Sequence, residues 1–257
     1  MKTKHPLLVV ALLGLSLLSA PAQPGSPGGG GMGGGPQGPT FSGRMSKLLG
    51  EVTAFSAAIE MQTKDPSGAS VTVPGKLAFN EGKSRMEMDL LAAAGKDAEA
   101  AAQMKEMGMD SMTIISRPDK KVNYIVNANF QAYVESPIPE TESAEAMSKD
   151  KVEIKEAGKE TIDGHPCIKN LVTVTDEKNA KHEFTVWNAT DLKKFPMKIV
   201  TEERGQPLTM LFKNVKLAKP DEAQFAPPSG FKRYDNIMAM MMQEMMKRQG
   251  GGIPPTR

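Results

Sequence analysis

Along most of this chain apolar residues recur at every second position, and that alternation narrows the fold more than any other feature. Phe55, Ala57, Ile59 and Met61 share one parity. Val71, Val73, Leu77 and Phe79 do the same, with Ser70, Thr72, Lys76 and Asn80 facing the other way. Met86, Met88 and Leu90 alternate with Arg85, Glu87 and Asp89. A period of two is that of a strand with one buried face. Further strands are predicted over 112–117, 121–127, 130–135, 151–161, 165–175, 181–188, 195–203 and 207–216. Turn residues punctuate them: Asn80-Glu81-Gly82, Pro118-Asp119, Asp163-Gly164 and Arg204-Gly205. Asp163-Gly164 is the strongest signal, because both residue types tolerate the positive φ of a type I′ hairpin turn. Links this short join antiparallel neighbours, since parallel strands need long crossovers. The expectation is a mainly β (α+β) chain: an antiparallel meander of about 11 strands, open or partly closed.

Two stretches break the period. Residues 91–109 are rich in Ala, Glu, Lys and Met, with Ala100, Met104 and Met107 on one helical face and Gly108 as a C-terminal cap. Residues 141–149 form a shorter helical candidate. Both fall between strands, so they can pack across one face of the sheet as a cover.

The amino-terminal segment reads as an export signal. Lys2 and Lys4 precede an apolar run from Leu7 to Leu18, and Ala20-Pro21-Ala22 supplies the small-x-small site at which a signal peptidase cuts. The run is shorter than the ~20 residues of a bilayer span. Cleavage after Ala22 predicts a periplasmic or secreted protein with no transmembrane anchor. The single cysteine, Cys167, lies far from that site, so the chain is not expected to be an acylated lipoprotein, and it has no internal disulfide. Removing residues 1–22 takes away Lys2 and Lys4 and no acid, which balances the 32 basic against the 30 acidic residues of the whole chain. That balance points away from nucleic acid as a partner.

Residues 23–40 are dominated by Gly and Pro and offer little apolar surface to bury. They read as a disordered linker with a reach of roughly 20–25 Å. A phosphate-cradling loop would need a strand before it and a Lys-Ser/Thr-capped helix after it, and neither is present. Residues 41–233 then form one β domain, and residues 234–257 a Met-rich helix with a flexible tail.

Several motifs carry a family likeness. Leu211-Phe212-Lys213-Asn214-Val215, followed by Pro220, Phe225, Pro228, Gly230 and Phe231, resembles the C-terminal part of the lipoprotein-carrier superfamily, which includes LolA- and LolB-like proteins. A second set looks closer to a secreted family of unknown function within that group: Gly158 to Ile162, Gly164-His165-Pro166-Cys167 with Lys169, Trp187-Asn188-Ala189 with Asp191-Leu192, and Phe195 to Lys198. The similarity covers residues 51–235. It implies a strongly curved antiparallel sheet, an incomplete barrel, with helices over the concave face and an apolar cavity between.

Residues able to carry chemistry are few. His165 and Cys167 lie two apart on a predicted strand without the partner spacing of a metal or nucleophile site. Cys167 reads as a small buried apolar group, His165 as a post-turn residue and Trp187 as core. No Gly-x-Ser-x-Gly elbow occurs, and neither enzyme activity nor a cofactor is expected. Methionine stands out at 19 residues, six of them between 238 and 246. Met238, Met241, Met242 and Met245 fit the i, i+3, i+4, i+7 helical template. Such a face can hold Cu(I), accept varied apolar partners or lipid, or pack on its own sheet. The expected function is non-enzymatic binding of an apolar ligand, a lipid or lipoprotein acyl chain, in a sheet–helix cavity. The candidate contacts are Met86, Met88, Leu90, Met104 and Met107 with Met238, Met241, Met242 and Met245. The alternative is a protein-interaction module in envelope assembly or stress sensing, which meets an envelope protein through its C-terminal helix.

Overall fold

Each alternating segment forms a strand whose apolar parity turns inward. The computed structural model describes residues 44–64, 68–95, 98–140, 143–203 and 205–248. The export signal over 1–22, the linker over 23–40 and the tail beyond Arg248 lie outside the described residues. In order, the strands are β1 (Ala54–Lys64), β2 (Ser70–Asn80), β3 (Lys83–Asp89), β4 (Ser111–Arg117), β5 (Val122–Asn127) and β6 (Ala132–Pro137). Then follow β7 (Lys151–Ile162), β8 (His165–Thr175), β9 (Lys181–Ala189), β10 (Pro196–Glu203), β11 (Gln206–Lys216) and β12 (Lys232–Tyr234). They form one open sheet in the order β12-β6-β5-β4-β3-β2-β1-β11-β10-β9-β8-β7.

The sheet is two meanders where the sequence predicts one. Strands β1 to β6 and β7 to β11 each follow chain order, and they join where β1 pairs antiparallel with β11, Ile59 opposite Phe212 and Met61 opposite Met210. The connection after β6, which carries helix α2 (Ala144–Ser148), takes the chain to the far edge. A period of two reports which face is buried and says nothing of which strand is the neighbour. The twelfth strand, β12, runs parallel to β6 and is three residues long, too short to show any period. Strand β6 also begins later than the predicted 130, because the Phe130 N–H is taken by the Asn127 side chain at 3.1 Å in the preceding turn.

Local chemistry explains the turns and caps. Asp163 and Gly164 have φ of 49° and 83°, and Glu81 and Gly82 have 49° and 87°, the type I′ signature. The predicted helix over 91–109 is two pieces. A 3-10 turn over Leu90–Ala94 is capped by the Asp89 side chain, and helix α1 covers Ala98–Glu106. Helix α1 ends in a Schellman motif: the Met109 N–H donates to the Met104 carbonyl at 2.8 Å and the Gly108 N–H to Lys105 at 3.0 Å.

The main core lies between the inner face of the sheet and a cover made of α1, Leu90–Ala94 and a 3-10 helix over Arg44–Leu49. Its centre is aromatic. Phe55, Phe195 and Phe212 are fully buried, with ring centroids 4.8 to 6.3 Å apart, and Phe79 stacks on Phe55 at 5.7 Å. The opposite face of β2 to β5 is not left to solvent either. The segment Glu222–Phe225 crosses it, and Phe225 packs on Ala78, Ile115 and Val126. Arg117 fixes that crossing by donating to the Phe225 carbonyl at 3.0 Å.

Candidate functional site

The structure divides the predicted contact residues into two groups. Met86, Met88, Leu90 and Met104 are buried in the main core. Met86 sits opposite Leu77 on β2 and Ile114 on β4, so the inner face of the sheet is occupied by its own side chains at this point. The remaining candidates lie outside that interior, at one end of the molecule.

They gather around helix α3 (Ile237–Arg248), which begins where the Asn236 side chain accepts from the Ala239 N–H at 2.7 Å. Helix α3 packs through Ile237, Met240 and Met241 against Phe130, Ala132, Val134 and Tyr234. The docked face also includes Glu244, so it lies one position behind the predicted 238/241/242/245 stripe. An apolar template passes over Glu244, whose burial becomes intelligible only from its partners: Tyr234 O–H and Lys247 Nζ both donate to its Oε1. Met238 and Met242 are consequently 52% exposed, and Met246 45%.

Between α1 and α3 lies a cleft of about 360 Å³, lined by Gln103 and Glu106 from α1, Met107 in the turn after it, and Met245 and Arg248 from α3. The fold thus brings Met107 and Met245 together from positions far apart in the chain. Arg248 braces the cleft. Its guanidinium stacks 4.8 Å over Phe130 and donates to the main-chain carbonyls of Glu106 at 3.1 Å and Asn129 at 3.0 Å. These acceptors are neutral, and among the described residues no carboxylate pairs with Arg248. Sequence reasoning missed Arg248, Phe130 and Glu244. The only signal was a cation in the last helical turn, which reads equally well as a response to the helix dipole.

A second depression, of about 300 Å³, opens on the outer face of β1 to β3. Lys76, Arg85, Glu87 and Lys216 border it, and no methionine lines it. His165 and Cys167 form no reactive pair: Nδ1 of His165 lies 2.9 Å from Asp191, and the buried Cys167 thiol donates to the His165 carbonyl at 3.3 Å. Burial pushes that thiol up and away from the thiolate form. Trp187 is buried, with its indole N–H on Glu160 at 2.7 Å and Lys198 Nζ 4.4 Å from the ring centre.

The Glu244 contact makes the docking of α3 sensitive to acid. Burial pushes its carboxyl up, but the hydrogen bonds from Lys247 and Tyr234 outweigh that and hold it below the usual carboxylate range. A depressed folded-state value contributes stability above the unfolded pKa of about 4.3. That contribution is lost as pH falls through the lower folded value. Hydrogen-exchange protection of α3 should therefore drop below about pH 4 while β1 and β11 stay protected. Equal protection of α3 at pH 7 and pH 3 would contradict the assigned role.

The family described as a domain of unknown function (DUF4412) matches residues 55–194, more than half of the sequence. The chain belongs to the DUF4412 family. In structural terms the DUF4412 match runs from β1 past β9, so it includes α1 and leaves α3 outside. The methionine cleft therefore joins a DUF4412 helix to an element beyond the matched region. No curated protein matches the chain. Among solved structures, this DUF4412 chain is similar to the LolA superfamily protein NE2245 from Nitrosomonas europaea, at 10% identity over 70% of this chain and 93% of that one, with a TM-score of 0.33. It is also similar to the Mycobacterium tuberculosis lipoprotein LppX, at 11% identity over 66% and 90%, with a TM-score of 0.39. A third likeness is to the MucA/MucB complex of Pseudomonas aeruginosa, at 13% identity over 72% and 60%, with a TM-score of 0.37. Among the described residues of the DUF4412 chain, no helix is long and apolar enough to cross a membrane.

Proposed function

We propose that this DUF4412 protein is an exported, non-enzymatic binding protein that holds the acyl chain of an anionic lipid or lipoprotein in the cleft between α1 and α3. The observation that carries the reading is the pairing of two kinds of group in one cleft. Met107 and Met245 supply an adaptable apolar wall beside the polar Gln103 and Glu106, and Arg248 supplies a cation whose hydrogen bonds, among the described residues, go to main-chain carbonyls. That combination suits an amphiphile: the chain lies on the thioethers and the anionic end meets the guanidinium. The volume, about 360 Å³, is in the range of small-ligand pockets. The cleft is also the more accessible place for such a chain, because Phe55, Phe195 and Phe212 at the centre of the main core are fully buried. The export signal read in residues 1–22 supports an envelope location, where such ligands occur.

Titration with a long-chain fatty acid tests this. Met245→Asp places a carboxylate on the apolar wall and removes a side chain worth about 1.5–3 kcal/mol of burial, so affinity should fall at least tenfold. Unchanged affinity in that variant, or no binding by the parent protein, would sink the reading. The second reading is a protein-interaction module, favoured by the outward row Met238, Met242 and Met246. It would show as capture of an envelope protein that Met238→Ser/Met242→Ser abolishes while fatty-acid titration stays unchanged.

A further inference from the structure

Strand β7 is the open edge of the sheet, hydrogen-bonded on one side only, to β8. It is long for an edge strand, and residues 151–161 are all exposed. Edges of this kind are usually blunted by short length, bulges, Pro or charged side chains, and mixed charges can instead pair with those of another strand. Here a bulge interrupts the second half: the register shifts between Glu156 and Lys159, where Gly158 has φ of 127°. The first half is regular. Its apolar residues continue the inner face, since Val152 stands opposite Val174 and Ile154 opposite Val172, both of them buried. Val152 is nevertheless 39% exposed and Ile154 67%, because the sheet ends there and no further strand covers them.

The charges on the other face of this half-strand are self-complementary. Lys151, Glu153 and Lys155 share that face, and none of them enters an ion pair among the described residues. We propose that a second copy of this chain pairs antiparallel with β7 across a two-fold axis at Ile154, which joins two sheets edge to edge. Pairing about a two-fold perpendicular to the sheet keeps parity, so the axis must pass through a residue. Centred on Ile154, the pairs are Ile154 with its own copy, Glu153 with Lys155 in both directions, and Val152 with Glu156. Centred on Glu153, the same strands would set Lys151 against Lys155 twice and Glu153 against itself, three like-charge contacts. Centred on Val152, only the first residues of the strand would overlap. Charge therefore selects the Ile154 register, and the bulge after Glu156 ends the pairing there.

Charge reversal with rescue tests the proposal on the full exported chain. Sedimentation should show a dimer, and Lys155→Glu or Glu153→Lys alone should weaken it about tenfold or more by turning both cross-axis pairs repulsive. The double variant Glu153→Lys/Lys155→Glu should restore the dimer. Ile154→Cys should form an intermolecular disulfide on oxidation, while Val152→Cys, facing Glu156 of the other copy, should not. The native Cys167 is buried and does not compete. All these positions are exposed, so thermal unfolding of each variant should match the parent at a concentration low enough for the parent to be monomeric. A monomer at every concentration up to about 0.1 mM, a dimer indifferent to the single reversals, or a double variant without recovery would each overturn the proposal.

Discussion

Replacing Phe55 with alanine should cost about 3–5 kcal/mol of stability, the range for removing a fully buried phenylalanine ring. The reason is position as much as size. Phe55 lies on β1, the strand that joins the two meanders, and its ring contacts one aromatic from each neighbouring strand, Phe79 on β2 and Phe212 on β11, and also Phe195 just before β10. Phe79 sits directly opposite it in register. Alanine at 55 leaves a cavity walled by three rings from both halves of the sheet, and β-strands on two sides limit how far they can collapse into it. Against a total stability of about 5–15 kcal/mol the loss is a large fraction. Urea unfolding followed by the single tryptophan, Trp187, which is buried, should show the midpoint falling by roughly 1–3 M. Met238→Ser on the exposed row should shift stability by less than about 0.5 kcal/mol, as usual for surface changes. Equal effects from the two would mean that the aromatic centre is not packed as described.

Gly108→Ala should be the most damaging small change near the cleft. Gly108 has φ of 66°, and a Cβ there would lie 2.6 Å from Cε1 and 2.8 Å from Cζ of Phe130. Alanine costs about 1–2 kcal/mol in the left-handed conformation. Displacing a packed ring adds about 1–3 kcal/mol. The ring has little room to yield. The Phe130 main-chain N–H is held by Asn127, which also donates to the Gly108 carbonyl at 2.7 Å, and Arg248 stacks on the ring's face. The displacement should therefore reach α3, and fatty-acid affinity should fall along with stability. Gly50→Ala is the control, since Gly50 has φ of 58° and a Cβ there would meet nothing within 4 Å. It isolates the conformational cost, so Gly108→Ala should exceed it by the packing contribution. Equal losses would show that the contact with Phe130 is not made.

What could be read from the sequence was local. Hairpin turns such as Asp163-Gly164 and the inward parity of Phe55, Ile59 and Met86 follow from residues a few positions apart, and the strands formed where they were expected. The capping role of Gly108 was visible for the same reason. Non-local pairings were not visible: nothing in β1 or β11 announces that they are neighbours, and β12 is too short to carry a pattern. Ala78 and Ile115 lie on the polar parity of their strands and are buried only because Phe225 arrives from about a hundred residues or more downstream in the chain. The candidate site divided in the same way. Alternation marked Met86 and Met88 as inward-facing, and they are buried in the main core, but a period of two says nothing of what lies opposite them. In α3 the apolar template did not reveal which stripe docks on the sheet, because a carboxylate made welcome by Tyr234 and Lys247 sits in the docked face.

If an acyl chain lies between α1 and α3, a fatty acid that carries a photoreactive group along its chain should label both walls of the cleft. After irradiation and peptide mapping, the label is expected on Met107 and on Met245, and excess unlabelled fatty acid should compete it away. Label on the charged outer depression around Lys76 and Lys216, or label that no fatty acid displaces, would rule out an acyl site between α1 and α3.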